Sequence, residues 1–298
     1  MHVRFLENSA PVRVRALLAA ALAGCVATMV GVAAAPALAV SKARLIEEFH
    51  PFANCPVTTA AVCTVSYTTG GEFKMGLKTV PINKTITLQG GLGTESYEAQ
   101  PLVGAADGNT LSKTPLTVPG GLAGVGGPTE EILGEVTATS EIAGPPSSVI
   151  INRLGIVPGR DHEEIAVTLP LKVHLENPQL GNECYIGSNA EPIVLHLTAG
   201  KTKPPSGTEP IRGDVGSPGG AAKGKITILP ATIVDNTFAV PGATGCGAIP
   251  AVTDTVVDLA SGIPSAAGSN TAIMKGTLEE TKSEFAAKYR PKEKRHHK

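Results

Sequence analysis

The chain has 298 residues, a formal net charge of −1, 34 glycines, 24 prolines, no tryptophan and four tyrosines. That much Gly and Pro leaves little room for long helices in the body, and the near-neutral balance does not describe a uniformly basic nucleic-acid binder. Sugar-binding β-proteins stack pyranose rings on flat aromatic faces, so a lectin-like role is disfavoured as well.

The first element is a leader. Arg4, Arg13 and Arg15 precede an apolar run from Ala16 to Ala35, and Ala37 and Ala39 supply the small-x-small pattern of a cleavage site. Residues 1–39 therefore read as a secretory signal peptide, cut after Ala39. The run is long enough to span a bilayer if retained, but its Ala-rich character and its cleavage site argue for removal. Leu22-Ala23-Gly24-Cys25 also spells a lipobox, with a lipid anchor at Cys25 as its consequence. Apolar residues continue after Cys25, where a lipoprotein turns polar, so the lipid anchor is the lesser reading. No transmembrane segment is then expected in the mature chain, which is secreted or associated with the cell envelope.

Removing 39 of 298 residues leaves 259, enough for a single sizeable core, and residues 40–287 read as one β-rich domain. The mature chain keeps Cys55, Cys63, Cys184 and Cys246, an even count that in an exported protein means two disulfides. Three pairings exist. Cys55 with Cys63 and Cys184 with Cys246 is favoured, because the first two flank a short Pro-led segment and the last two sit in Gly-rich loops. Loop closure then contributes about 2.6 and about 4.3 kcal/mol. No C-x-x-C occurs, so a zinc site is not expected, and no metal or cofactor site is assigned.

Along the body the dominant signal is alternation with period two. Cys63, Val65 and Tyr67 share one face of a strand. Phe73, Met75 and Leu77 share another, and Val80, Ile82, Ile86 and Leu88 follow after a phase change near Lys78 that reads as a bend or bulge. The run from Gly120 to Gly127 resembles a phosphate loop in composition only, since Pro119 and Pro128 flank it and no helix follows to hold an anion. Ile132, Val136 and Ile142 mark the next candidate strand. The longest alternation runs through Ile165, Val167, Leu169, Leu171, Val173 and Leu175, with Pro170 on the wet side suggesting an edge or a bulge. Ile193, Leu195 and Leu197 make a shorter strand, and Ile226 with Ile228 opens a later one. Residues 199–225, rich in Pro, Gly, Lys and Thr, read as a long exposed loop.

Two helical pieces are expected. Val252, Val256 and Leu259 repeat at helical spacing before Gly262 and Pro264, and Leu278, Phe285 and Tyr289 mark a stripe over 278–289. The fold class that follows is mostly β, an antiparallel sandwich of jelly-roll-like or related type with one or two short helices. The charge is uneven: residues 40–287 carry 16 basic and 24 acidic side chains, a net of −8, whereas 288–298 hold six Lys or Arg against one Glu, a net of +5. That terminal run reads as a disordered basic tail suited to an anionic envelope polymer.

Candidate chemistry is sparse. His162-Glu163-Glu164 begins like a zincin helix, but position 166 is Ala and not His. His174 and His196 lie on the polar parity of their strands and, if the strands are neighbours, would meet near Glu176. Neither G-x-S-x-G nor S-x-x-K occurs in the mature chain. Arg212-Gly213-Asp214 and the sequon Asn83-Lys84-Thr85 are short matches that arise by chance.

The stretches Cys184-Tyr185-Ile186-Gly187-Ser188, Pro204-Pro205, Val234-Asp235-Asn236-Thr237-Phe238 leading to Gly245-Cys246-Gly247, and Pro264-Ser265-Ala266-Ala267-Gly268 resemble a group of exported proteins from high-GC Gram-positive bacteria with no assigned activity. The likeness covers about the last 120 residues, and Cys55 to Gly91 more loosely. It implies export and a shared β domain with Cys184 paired to Cys246. The functional expectation is a non-catalytic exported protein with a binding or structural role. An extracellular hydrolase using His162, His174 or His196 is the alternative. A carrier of an apolar ligand is a third reading, and it requires a cavity between the sheets.

Overall fold

The computed structural model describes residues 41–121, 135–159 and 164–291. The strands in chain order are β1 (Val62–Met75), β2 (Lys78–Pro81), β3 (Ile86–Leu92), β4 (Gln100–Gly104), β5 (Leu116–Thr117), β6 (Thr137–Ile142), β7 (Ile150–Ile151) and β8 (Val167–Glu176). They continue as β9 (Tyr185–Ile186), β10 (Ile193–Leu197), β11 (Asp214–Val215), β12 (Gly219–Ala221), β13 (Ile226–Asp235), β14 (Ala243–Thr244) and β15 (Thr271–Lys282). The described residues add three short helices, α1 (Lys42–Glu48), α2 (Pro250–Ser261) and α3 (Ser283–Tyr289). The leader, with Cys25 and the cleavage site at Ala39, lies outside the described residues.

Every strand pairing is antiparallel, and the hydrogen-bonded path ends at β11 and β5 without closing on itself. Two layers result. In the first, β1 lies between β15 and β3, and β13 lies beyond β15. In the second, β8 is central: β10 pairs with 167–171 and β9 with 173–174 along one side, so β7 and β6 share the other. β4 joins the layers, pairing with β3 through Leu102–Gly104 and with β7 through Gln100 and Pro101. The main apolar cluster draws on both layers, with Val62, Phe73, Ile86 and Leu92 from one and Leu169, Leu171, Val173 and Leu195 from the other. The expected antiparallel sandwich is therefore the architecture.

The first layer is buried on both faces. Cys63, Val65 and Tyr67 of β1 point away from the second layer and join Ile226 and Ile228 of β13 under a cap made by Phe49, Phe52, Phe285, Ala286 and Tyr289. Phe49 and Phe52 are fully buried, each worth about 1.5–3 kcal/mol relative to an exposed ring. The opposite face of β1, Thr64, Ser66 and Thr68, turns inward between the layers.

Several expectations need correction. The phase change near Lys78 is a hairpin: Met75 pairs with Lys78 across Gly76 and Leu77. Gly76 is at φ +56°, and a Cβ there would lie 2.4 Å from the Ser261 carbonyl oxygen. The bulge is elsewhere, between Thr68 and Gly70 against β15. Pro170 is buried inside β8 and not at an edge; it falls where the partner on one side changes from β7 to β6. Leu278 belongs to β15, so only Phe285 and Tyr289 of the proposed terminal stripe are helical.

Residues 199–225 are largely exposed, as expected, but they are not one unpaired loop. Lys201 bridges Arg212, β11 pairs with Ala231 and Thr232, and β12 pairs with 226–228, so the segment covers the free edge of β13. Thr202 is buried and bonds both backbone groups of Ile211. Backbone pairing to an open edge orders a stretch that has little apolar surface of its own. The basic tail likewise starts later than Lys288, because α3 runs to Tyr289 and the Arg290 guanidinium donates to the carbonyls of Ala53 and Cys55. Residues 292–298 lie outside the described residues.

Candidate functional site

The four cysteines form the two expected disulfides, Cys55–Cys63 and Cys184–Cys246. The histidines do not converge. β8 and β10 are indeed neighbours, but the register sets His196 opposite Thr168, six residues from His174, about 20 Å along the strand. His174 stacks on Tyr185 at 4.6 Å and bonds the Asn182 carbonyl, while Glu176 accepts from the hydroxyls of Thr137 and Thr139. His162 and Glu163 lie outside the described residues. Among the described residues no three His, Cys, Asp or Glu side chains gather in a way that would hold a metal.

The distinctive space is between the layers. Register aligns three inward rows across the first layer. The first reads Ile86, Thr68, Gly276, Ala231; the second Leu88, Ser66, Leu278, Leu229; the third Gly90, Thr64, Glu280, Thr227. In the first row the residues nearest the centre are small, and at Gly276 a Cβ would lie 1.8 Å from the Tyr67 carbonyl oxygen, so no larger residue fits. Opposite stand Ile151, Ala166, Val167, Leu169 and Leu197 of the second layer. The small residues of the first row leave a mostly apolar cavity of about 80 Å³. Thr64, Ser66 and Thr68 of β1 are among its polar lining residues.

A second hollow of about 150 Å³ adjoins it at the third row. Ile156 and Leu278 line both and stand between them. Arg153 starts the 3-10 turn Arg153–Ile156, in which the Leu154 amide donates to the Asn152 side chain. Its side chain is only 7% exposed and pairs with Glu280 at 3.1 Å. The same guanidinium donates to the Glu95 and Ser96 carbonyls and lies 4.3 Å from the centre of the half-exposed Tyr97 ring. Two atoms of this ion pair, Arg153 Nε and Glu280 Oε1, are buried without a hydrogen-bond partner. Burial pushes the Glu280 carboxyl above the usual carboxylate range, and the facing Arg153 charge works in the opposite direction.

No family model, curated protein or solved structure matches this chain. Sequence reasoning missed both Arg153 and Glu280, which are 127 positions apart. The available signal for the cavity was the Thr64, Ser66, Thr68 parity of β1. Alternation marked only the opposite face, Cys63, Val65 and Tyr67, yet hydroxyls of this size suit an interior face that must not be filled.

Proposed function

We propose that the chain is an exported, non-catalytic binding protein that holds an apolar ligand between its two sheets. The observation that carries this reading is the mostly apolar cavity on the floor of Ser66, Thr68, Gly276 and Ala231, larger than the voids of a close-packed interior. Two disulfides and a two-layered β core support an oxidising destination, in keeping with the leader and with the resemblance to exported proteins. No helix among the described residues is long and apolar enough to cross a membrane. The cations at 292–298 suit contact with an anionic envelope polymer, which would keep the carrier near its source.

Xenon tests the reading, since dry apolar cavities take it up. Xenon added to the purified protein is expected to shift the methyl resonances of Ile233, Met274 and Leu278 saturably. Ser66→Leu, which fills the second row, is expected to abolish the shift. Extraction of the protein purified from the cells that make it is expected to release an apolar compound in stoichiometric amount. Unmoved methyls together with an empty extract would overturn the reading.

A further inference from the structure

We infer that the outer face of α2 is an interaction surface and that its partner is a second copy of this chain, the two helices packing side by side about a two-fold axis. The inference is independent of the carrier reading, because the residues that carry it line neither of the spaces described above.

The amphipathic character of α2 is inverted. Asp254 and Asp258, one turn apart, accept from the Cys246 and Ala243 amides and so face the body of the domain, with Val257 as the buried residue of the helix. Ile249 at the N-cap, Val252, Val256 and Leu259 stand about 160° round the helix from these carboxylates, and they are 63, 59, 52 and 75% exposed. A surface helix of a globular protein ordinarily does the reverse, apolar side in and charged side out. The two carboxylate hydrogen bonds hold α2 against rolling, so the aliphatic face stays outward. At the C-terminal end Leu77 donates its amide to the Ser261 carbonyl at 2.8 Å and adds a side chain that is 76% exposed.

Together the five side chains expose on the order of 500 Å², the size of a monomer's largest and often functional apolar patch. Pairing two copies removes about 1,000 Å² from water, the lower limit of a specific interface.

Spacing and charge choose the partner. Ile249, Val252, Val256 and Leu259 follow one another at intervals of three, four and three residues, the a-d-a-d seam of a coiled coil. The β-branched Ile249 and Val256 fall at a and Leu259 at d, which favours two strands over three or four. The seam carries no charge, so two copies meet without like-charge repulsion. A lipid surface is the poorer fit. Interfacial helices set Lys and Arg beside their Trp, Phe or Leu, and no Lys or Arg occurs from Ile226 to Met274.

Sedimentation velocity on the purified protein tests the pairing. The average mass is expected to climb from one chain toward two between roughly 1 and 300 µM. Mixed isotope-labelled and unlabelled protein is expected to give intermolecular Overhauser contacts among the methyls of Val252, Val256 and Leu259. Val256→Lys puts a charge in the middle of the seam and is expected to weaken association roughly tenfold or more. The same variant is expected to keep the urea midpoint of the dilute monomer, because Val256 lies outside both apolar clusters. Association that survives Val256→Lys at full strength would place the contact elsewhere on the molecule and overturn the inference. A protein that stays monomeric throughout would overturn it as well. Binding of that monomer to vesicles of phosphatidylcholine and phosphatidylglycerol would then assign the stripe to lipid, and stripe methyls shielded from a soluble paramagnetic probe would assign its cover to another segment of the same chain. The dilution series needs no variant.

Discussion

Glu279 sits on the outward face of β15, opposite Val65 on one side and Ile228 on the other. Burial among these apolar neighbours raises its carboxyl above the ordinary range, and its charge in turn helps to raise the Tyr67 hydroxyl. The folded state therefore holds a proton that the unfolded chain has already released. Its stabilising contribution is complete below the unfolded value of about 4.3 and is lost as pH rises through the raised folded value. Glu279→Gln is expected to remove that loss, so that denaturant midpoints of variant and parent diverge in favour of the variant between acid and neutral pH. Midpoints that stay parallel would show that the outer face solvates this carboxylate. Such residues are invisible to sequence reasoning for a plain reason. The alternation in β15 is broken by Gly276 and by the adjacent Glu279 and Glu280, and parity alone does not say that both faces of the strand are covered.

At the scale of elements, the alternation of β8 was legible because one face meets the core while the other, Pro170 apart, is more open. Ile165, where the pattern began, nevertheless lies outside the strand and is exposed. Leu169, Leu171, Val173 and Leu175 are all buried as their parity demands. Helix α2 shows the opposite case. Its end was readable from Gly262, which sits at φ +65° as a left-handed cap, but the stripe Val252, Val256, Leu259 is more than half exposed and only Val257 is buried. What the helix contributes is polar. Asp254 accepts from the Cys246 amide at 2.8 Å, and Asp258 accepts from the Ala243 amide at 2.7 Å, one helical turn apart on one face. Hydrogen bonds to charged groups are worth about 1.5–3 kcal/mol. Asp254→Ala is therefore expected to speed exchange of the Cys246 amide hydrogen by one to two orders of magnitude, and Asp258→Ala that of Ala243, with each effect confined to its own amide. If both variants loosen α2 as a whole, the carboxylates serve the helix and not the loop.

For the whole molecule the cysteine pairing is the firmest link between sequence and architecture, and it also ranks the two crosslinks. Cys55–Cys63 ties the segment under the outer cap to the start of β1 across a separation of 8, while Cys184–Cys246 ties the strand pair β9–β14 across a separation of 62. In the loop-entropy account the longer closure restricts the unfolded chain more, about 4.3 against about 2.6 kcal/mol. Both are large beside the 5–15 kcal/mol that holds a typical domain together. Cys184→Ser with Cys246→Ser is accordingly expected to lower the urea midpoint further than Cys55→Ser with Cys63→Ser, and reduction of both bonds to lower it furthest. The cavity sharpens the comparison, because Cys184 and Cys246 pack in the same inter-sheet cluster as Leu169 and Leu197, which line the cavity, whereas Cys55 and Cys63 belong to the outer cap. Loss of the long crosslink should therefore weaken xenon uptake as well as stability, and loss of the short one should cost stability alone. Were the short crosslink to prove the more stabilising, or the two to affect xenon equally, loop closure would not be what governs them, and the cavity would depend on the outer cap as much as on the pairing of the sheets.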